Sequence, residues 1–354
     1  MHGKELILAS LAHEPLPELP RDIFEGWMWP GITAEIIKRL NAHDFNDMLD
    51  KLGVGFRWVT PYYCGPKKLP AGAKSRIASR HSTHSLNSAI WKLSSDELHP
   101  LSKAETEADI NNYDWPSPKW FDYYYISWLS RKYKNHFVVA GGFSPLFYLI
   151  SDLFGMEKAL TDMIVKPELI HAAVNKIKTF YKGYFHRIAR IYCENIDAIA
   201  FGDDFASQAS MLFNPALWRE FFKPVWSELF GMAKEYGYKV MFHSCGSVAE
   251  VIPDLIEAGL DVLYPVQPKA TGMDLLSLKI KYGKALSFYG GVDVQHLLPY
   301  GGPDEIKEEA KRLYDLFKND GGYILSTSHV VMEDVPPENF FALYQIGRNE
   351  NNAG

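Results

Sequence analysis

Cysteine is sparse in this chain. Cys64, Cys193 and Cys245 are the only three in 354 residues, an odd number without the dense spacing of a disulfide framework, so each reads as a reduced thiol that either fills core or binds a ligand. Long apolar runs are also missing. No stretch approaches the roughly 20 residues that cross a bilayer, and the apolar part of Met1–Ser10 is too short for a secretory signal, which makes the cytoplasm the expected compartment. Positive charge is not in excess: 37 Lys and Arg face 43 Asp and Glu, a net charge of −6, and no basic cluster offers a phosphate track, so nucleic acid is not an expected partner. No glycine-rich phosphate fingerprint follows the first strand candidate, which argues against an open doubly wound sheet.

What the chain does have is apolar material, 47% of residues, with 14% aromatic; that suffices for a large core and suits a broad, flat-walled pocket. From Phe137 onward, short β-rich runs alternate with amphipathic helical stretches. The runs are Phe137–Ala140, Ala198–Phe201, Val240–Phe242, Val262–Tyr264, Leu286–Tyr289 and Tyr323–Leu325, the pattern of βα units around a parallel sheet. Ile23–Trp29 and Gly55–Tyr62 would bring the strands to eight, the number that closes a barrel. The expected fold is therefore α/β, a (β/α)8 TIM barrel in a single domain. Pro167 opens a long helix whose apolar face runs through Ile170, Val174, Ile177, Tyr181, Tyr184 and Ile188. A helix from about Thr33 to Leu52 has Thr33 as its N-cap candidate. Residues 67–101 are polar and serine-rich and read as a hairpin-like insertion over one barrel end.

In a barrel, reactive groups sit at the carboxyl ends of strands, so the polar residues that close each apolar run are the candidates. His243-Ser244-Cys245 is one such ending. Residues two apart in extended backbone point to the same side, so an imidazole and a thiolate can share one Zn²⁺; the plainer reading is a hydrogen-bonded His beside a buried thiol. Ser328-His329 closes the last run, and His329 suits a third metal ligand, a neutral acid/base or a substrate hydrogen-bond donor. Gly202-Asp203-Asp204 offers adjacent carboxylates that can hold a cation, ligate a metal or protonate a leaving group, or else cap a helix and leave one solvated charge. Gln267 and Asp293 end two further strands, as a ligand contact and as a ligand contact or turn cap. Cys64 in a turn, Cys193 on a helix, and His81 and His84 in a polar stretch read as incidental, packing and solvated surface.

Taken in order, Tyr63-x-Gly65-Pro66, Gly141-Gly142-Phe143-Ser144-Pro145, Gly202-Asp203-Asp204, His243-x-Cys245-Gly246, Pro265-Val266-Gln267, Gly290-Gly291-Val292-Asp293 and Pro336-Pro337-Glu338-Asn339 resemble the uroporphyrinogen decarboxylase-like superfamily. The resemblance covers most of the chain. The decarboxylases of that group hold substrate carboxylates with an Arg-rich loop after the first strand, where this chain reads Gly26-Trp27-Met28-Trp29-Pro30-Gly31. The zinc methyltransferases carry His-x-Cys after the fifth strand and a Cys after the eighth; here His243 and Cys245 are present and His329 stands near the second Cys position. A His in place of a thiolate makes the metal site less negative and more electrophilic. What the resemblance implies is a corrinoid-linked methyltransferase. Zinc would sit on His243, Cys245 and His329, with Asp203, Asp204 and His329 as catalytic groups and Tyr63, Gln267 and Asp293 at the substrate. The corrinoid, a cobalamin-like cofactor, would come on a partner protein, the methyl donor would be a small molecule such as a methyl ether (an O-demethylation) or the acceptor a thiol, and a homodimer is left open. A metal-free decarboxylase of an aromatic or uroporphyrinogen-like carboxylate, and a non-catalytic corrinoid- or tetrapyrrole-binding module, are the competing readings.

Overall fold

The computed structural model describes residues 3–66, 90–91, 98–190 and 195–344. Most of the expected hairpin-like insertion at 67–101 lies outside the described residues, as do Cys193, His81 and His84. The chain folds as two compact units. One comprises Met1–Trp58, Lys134–Phe137 and Asp261–Gly354, the other Val59–Tyr133 and Val138–Leu260. Among the described residues, no helix is long and apolar enough to cross a membrane.

In the second unit, the strand Phe137–Gly141 from Val138 onward, Ala198–Gly202 and Lys239–His243 pair in parallel, with Val139 opposite Ala198 and Gly202 opposite His243. Ala198–Gly202 is buried along its whole length, which is why it reads as an unbroken apolar run: a parallel strand covered by helices on its face has no wet side to alternate with. Phe201 and Phe242 project into rings of Phe185, Trp226 and Phe230 at centroid distances of 4.5 to 6.3 Å, so aromatic contacts fix the helices Pro167–Arg190 and Lys223–Glu235 against these strands. On the Pro167–Arg190 helix, Ile170, Val174, Ile177, Tyr181 and Ile188 of the expected face are buried and Tyr184 is half-buried.

The first unit repeats the pattern with Val262–Val266, Ser287–Val292 and Tyr323–Thr327, again parallel. Ile23–Trp29 does not form the expected strand. Parallel bridges flank it, Arg21 with Leu325 and Met28 with Val331, but a 3₁₀ turn at Phe24–Gly26 interrupts the ladder. Glu25 and Gly26 there have φ of 46° and 66°, left-handed values outside the extended region and costly for a Glu. Thr33–Leu52 is likewise two helices, Pro30–Arg39 and Phe45–Lys51. Pro30 begins the first, with its fixed φ suited to the opening turn, and Thr33 lies inside it with its hydroxyl donated to the Trp29 carbonyl at 2.8 Å. Asp44 caps the second by accepting the Asp47 N–H.

Candidate metal centre

His243 is the last residue of its strand and stands in register with Gly202 on the neighbouring strand, so His243-Ser244-Cys245 and Gly202-Asp203-Asp204 leave the sheet side by side. The Asp203 N–H donates to the His243 carbonyl at 3.0 Å, which extends the pairing one residue past the strand. A Cβ on Gly202 would stand 2.6 Å from the His243 Cβ; glycine is what lets the imidazole lie flat across the adjoining strand end. Three donor atoms then converge. The His243 Nε2 is 3.5 Å from the Cys245 Sγ and 3.6 Å from Asp204 Oδ1, and all three donor atoms lie within 4.8 Å of one another.

Those distances fit a metal. Zinc bonds of about 2.0–2.1 Å to imidazole and 2.3 Å to thiolate, opened to the tetrahedral angle, put N and S about 3.5 Å apart. A nitrogen, a sulfur and a carboxylate oxygen form a donor set zinc takes, and three protein ligands leave a fourth position for an exchangeable group. The His243 side chain is buried while Asp204 and Cys245 are half-buried, so the cluster is reached from the carboxylate and thiol side. The Phe143 ring meets the imidazole edge-on at 5.4 Å and limits its rotation. The Cys245 N–H donates to Asp204 Oδ1 at 2.9 Å, which holds the carboxylate over the thiol.

Asp203 points the other way. Its oxygens accept the Phe147 and Tyr148 N–H groups at 2.8 and 3.0 Å, at the start of the Phe147–Phe154 helix, where unpaired backbone N–H groups favour a carboxylate. Burial nevertheless pushes its pKa up to about 7, against those N–H groups and with help from the Asp204 charge. Asp203 thus ties the loop that carries Asp204 to a helix end.

The loop after Cys245 turns at Gly246, whose φ is +81° and whose Cβ position lies 2.5 Å from the Ser207 carbonyl oxygen; the next N–H, of Ser247, donates to that same oxygen at 2.8 Å. Gly246→Ala therefore combines a left-handed residue with a backbone clash. It is expected to cost about 2–4 kcal/mol, read as a lower urea midpoint at unchanged slope; an unshifted midpoint would show that the loop relaxes freely.

The other candidates each have defined surroundings within their own unit. His329 belongs to the other unit, is half-buried, and stacks on Phe24 at 5.0 Å and 26°. Asp293, also in that unit, accepts the N–H groups of Gln295, His296 and Leu297 at 3.0 to 3.3 Å, the geometry of a turn cap. Gln267 is half-buried there, and its carbonyl accepts the Ala270 N–H. Tyr63 lies in a two-residue strand paired with Phe121–Asp122, its hydroxyl donated to the Pro66 carbonyl at 3.2 Å, and burial pushes its pKa up. One buried acid escaped the reading of the sequence. Asp22 is fully enclosed, accepts from the Trp58 indole at 2.7 Å, the Tyr289 hydroxyl at 3.1 Å and the Ile23 N–H at 2.8 Å, and has its pKa pushed up to about 8 by burial.

A methyltransferase from Methanosarcina mazei has a similar solved structure, with 17% identity over 98% of each chain and a TM-score of 0.62. That likeness shows the fold to be the α/β barrel expected from the alternation of strands and helices. A structure from Coccidioides immitis assigned as a fructose-1,6-biphosphate aldolase is similar at 12% identity over 56% of this chain and 67% of that one, with a TM-score of 0.26, too slight to bear on fold or function. No curated protein matches the chain. The uroporphyrinogen decarboxylase (URO-D) sequence model, however, matches residues 100–349, a span that holds Asp204, His243 and Cys245 together with His329, and with more than half of the chain so matched this protein belongs to the URO-D family.

Proposed function

We propose that this protein is a zinc-dependent methyltransferase that moves a methyl group between a small donor or thiol and a corrinoid carried by a partner protein. The observation that carries this reading is the convergence of the His243 nitrogen, Cys245 sulfur and Asp204 oxygen within 4.8 Å at two adjacent strand ends. When bound there, zinc supplies a Lewis acid that draws electron density from the heteroatom bearing or receiving the methyl group. The chain's own residues do the rest. Phe143 and Gly202 orient the imidazole, the Cys245 N–H holds the Asp204 carboxylate, and Asp203 anchors that carboxylate's loop to a helix end. His329, as a further ligand or as a group on the substrate, is part of the proposal. The Methanosarcina mazei structure, itself a methyltransferase, supports the reading.

Decarboxylation is the second reading, favoured by the family's name-giving activity. The first loop weighs against it: Gly26-Trp27-Met28-Trp29-Pro30-Gly31 contains no Arg to receive substrate carboxylates. The test supplies reduced cobalamin with methyl ethers, and methylcobalamin with simple thiols, to the zinc-loaded protein and follows the cobalamin absorbance. Methyl transfer that stops when zinc is chelated is the expected result. Release of CO₂ from aromatic carboxylates by chelator-treated protein, with no change in the cobalamin spectrum, would overturn it in favour of decarboxylation.

A further inference from the structure

The 3₁₀ turn at Phe24–Gly26, in the first unit, holds a strained residue. Glu25 has φ 46° and ψ 26°, a left-handed conformation unfavourable for any residue with a Cβ, and Glu lacks the short polar side chain with which Asn or Asp bonds its own backbone there. The surroundings impose it. The Glu25 N–H donates to the Tyr289 hydroxyl at 3.3 Å, and the Gly26 backbone lies against the Trp58 ring, where a Cβ on Gly26 would stand 3.2 Å from Trp58 Cδ1. Trp58 and Tyr289 are in turn fixed by Asp22, which accepts the indole N–H at 2.7 Å and the tyrosine hydroxyl at 3.1 Å. Strain held in place from several sides in this way is a mark of ligand-binding positions.

What the strain secures is the place of a carboxylate. Burial first, and the Glu25 charge next, push the Tyr264 hydroxyl well above the ordinary tyrosine range, so the carboxylate stands beside that hydroxyl. Tyr264 is fully buried and meets Trp58 at 5.6 Å and 50° and Tyr289 at 5.4 Å and 64°. Glu25 and Trp58 are only half-buried, as is Trp27 on the same loop, whose ring lies 6.1 Å from the exposed Trp29. Burial keeps Asp22 protonated at neutral pH, its pKa pushed up to about 8, and Arg57, the cation that acts on it, is paired with Asp50. The accessible charge of this turn is therefore the Glu25 carboxylate, set among aromatic rings, and that is the chemistry that recognises an organic ammonium group. We propose that the Glu25 turn and Trp58 form a binding site for a small organic ammonium ion, its charge on the Glu25 carboxylate and its methyl or methylene groups on the indole. The site uses none of the zinc donors and stands whether or not the metal reading does.

Isothermal titration calorimetry on the full-length chain, without added zinc, tests this with choline and with 3,3-dimethylbutan-1-ol, which has the same shape and no charge. The wild type is expected to bind choline in the millimolar range and the alcohol at least about tenfold more weakly. Glu25→Gln keeps the side-chain shape and the backbone strain, and Trp58→Leu keeps the charge; each is expected to weaken choline binding by about tenfold or more. Glu25→Gly removes the carboxylate and suits the left-handed backbone, so it is expected to abolish choline binding while raising the urea midpoint, the pattern of a residue kept for a ligand at a cost in stability. Equal affinity for the two probes, wild-type affinity for choline in Glu25→Gln, or no binding of choline by the wild type up to about 50 mM would overturn the proposal.

Discussion

Replacing His243 or Cys245 with alanine is expected to take the protein from about one bound zinc to essentially none. Each side chain supplies one of three donor atoms gathered within 4.8 Å among the described residues, and losing a direct ligand costs more than the roughly 10- to 100-fold typical of an outer-sphere partner. The same experiment separates the two candidates for the third ligand. Asp204→Asn keeps an oxygen to accept the Cys245 N–H, now 2.9 Å from Oδ1, but removes the negative charge. If the carboxylate ligates zinc, affinity falls while the loop stays in place. If His329 is the ligand, His329→Ala lowers affinity and Asp204→Asn does little. Metal content after dialysis, together with the rate at which a thiol reagent modifies Cys245, gives the answer without reference to turnover. Full zinc occupancy in His243→Ala would remove the basis of the metal reading altogether.

The parts of this site that the sequence made legible are the local ones. His243 and Cys245 are two residues apart at the end of an apolar run, and strand geometry alone puts them on one side. The place of Asp204 beside them depends on the pairing of Gly202 with His243, a relation between positions about forty residues apart that no local pattern encodes, so ligand, acid and helix cap were all open for the Asp203-Asp204 pair. The strands follow the same logic. Ala198–Gly202 and Tyr323–Thr327 are buried on both faces and announce themselves as continuous apolar runs. Ile23–Trp29 has the same apolar and aromatic composition, yet the left-handed Glu25-Gly26 pair breaks it, and a Glu in that conformation is visible only in the folded chain. Asp22 was hidden for a related reason: its partners Trp58 and Tyr289 lie 36 and 267 residues away.

Asp22 should make the protein less stable as pH rises. Burial lifts its pKa from 3.8 to about 8 in the folded state, against the hydrogen bonds from Trp58, Tyr289 and Ile23 that favour the anion. Between those two values the folded chain keeps a proton that the unfolded chain has released, so stability falls with each pH unit by up to about 1.4 kcal/mol. The contribution is complete below about pH 4, declines through neutrality and is spent above about pH 8. Surface carboxylates such as Asp315, held down to about 2 by Lys311 and Lys318, act in the opposite sense, but they sit at the surface and act below pH 4, so the two effects occupy different windows. Asp22→Asn removes the titration while keeping an oxygen for the Ile23 N–H. It sets an amide N–H₂ against both the Trp58 indole N–H and the Tyr289 hydroxyl, so the variant is expected to be less stable than wild type at low pH, where the protonated acid fits its neighbours best. As pH rises the gap should narrow by several kcal/mol, because only the wild type then carries an anion in an enclosed space. Urea unfolding of both proteins at about pH 5, 7 and 9 measures the gap directly. A gap that stays constant across that range would mean that Asp22 ionises in the folded chain as readily as in the unfolded one, and that its three donors offset the cost of burial.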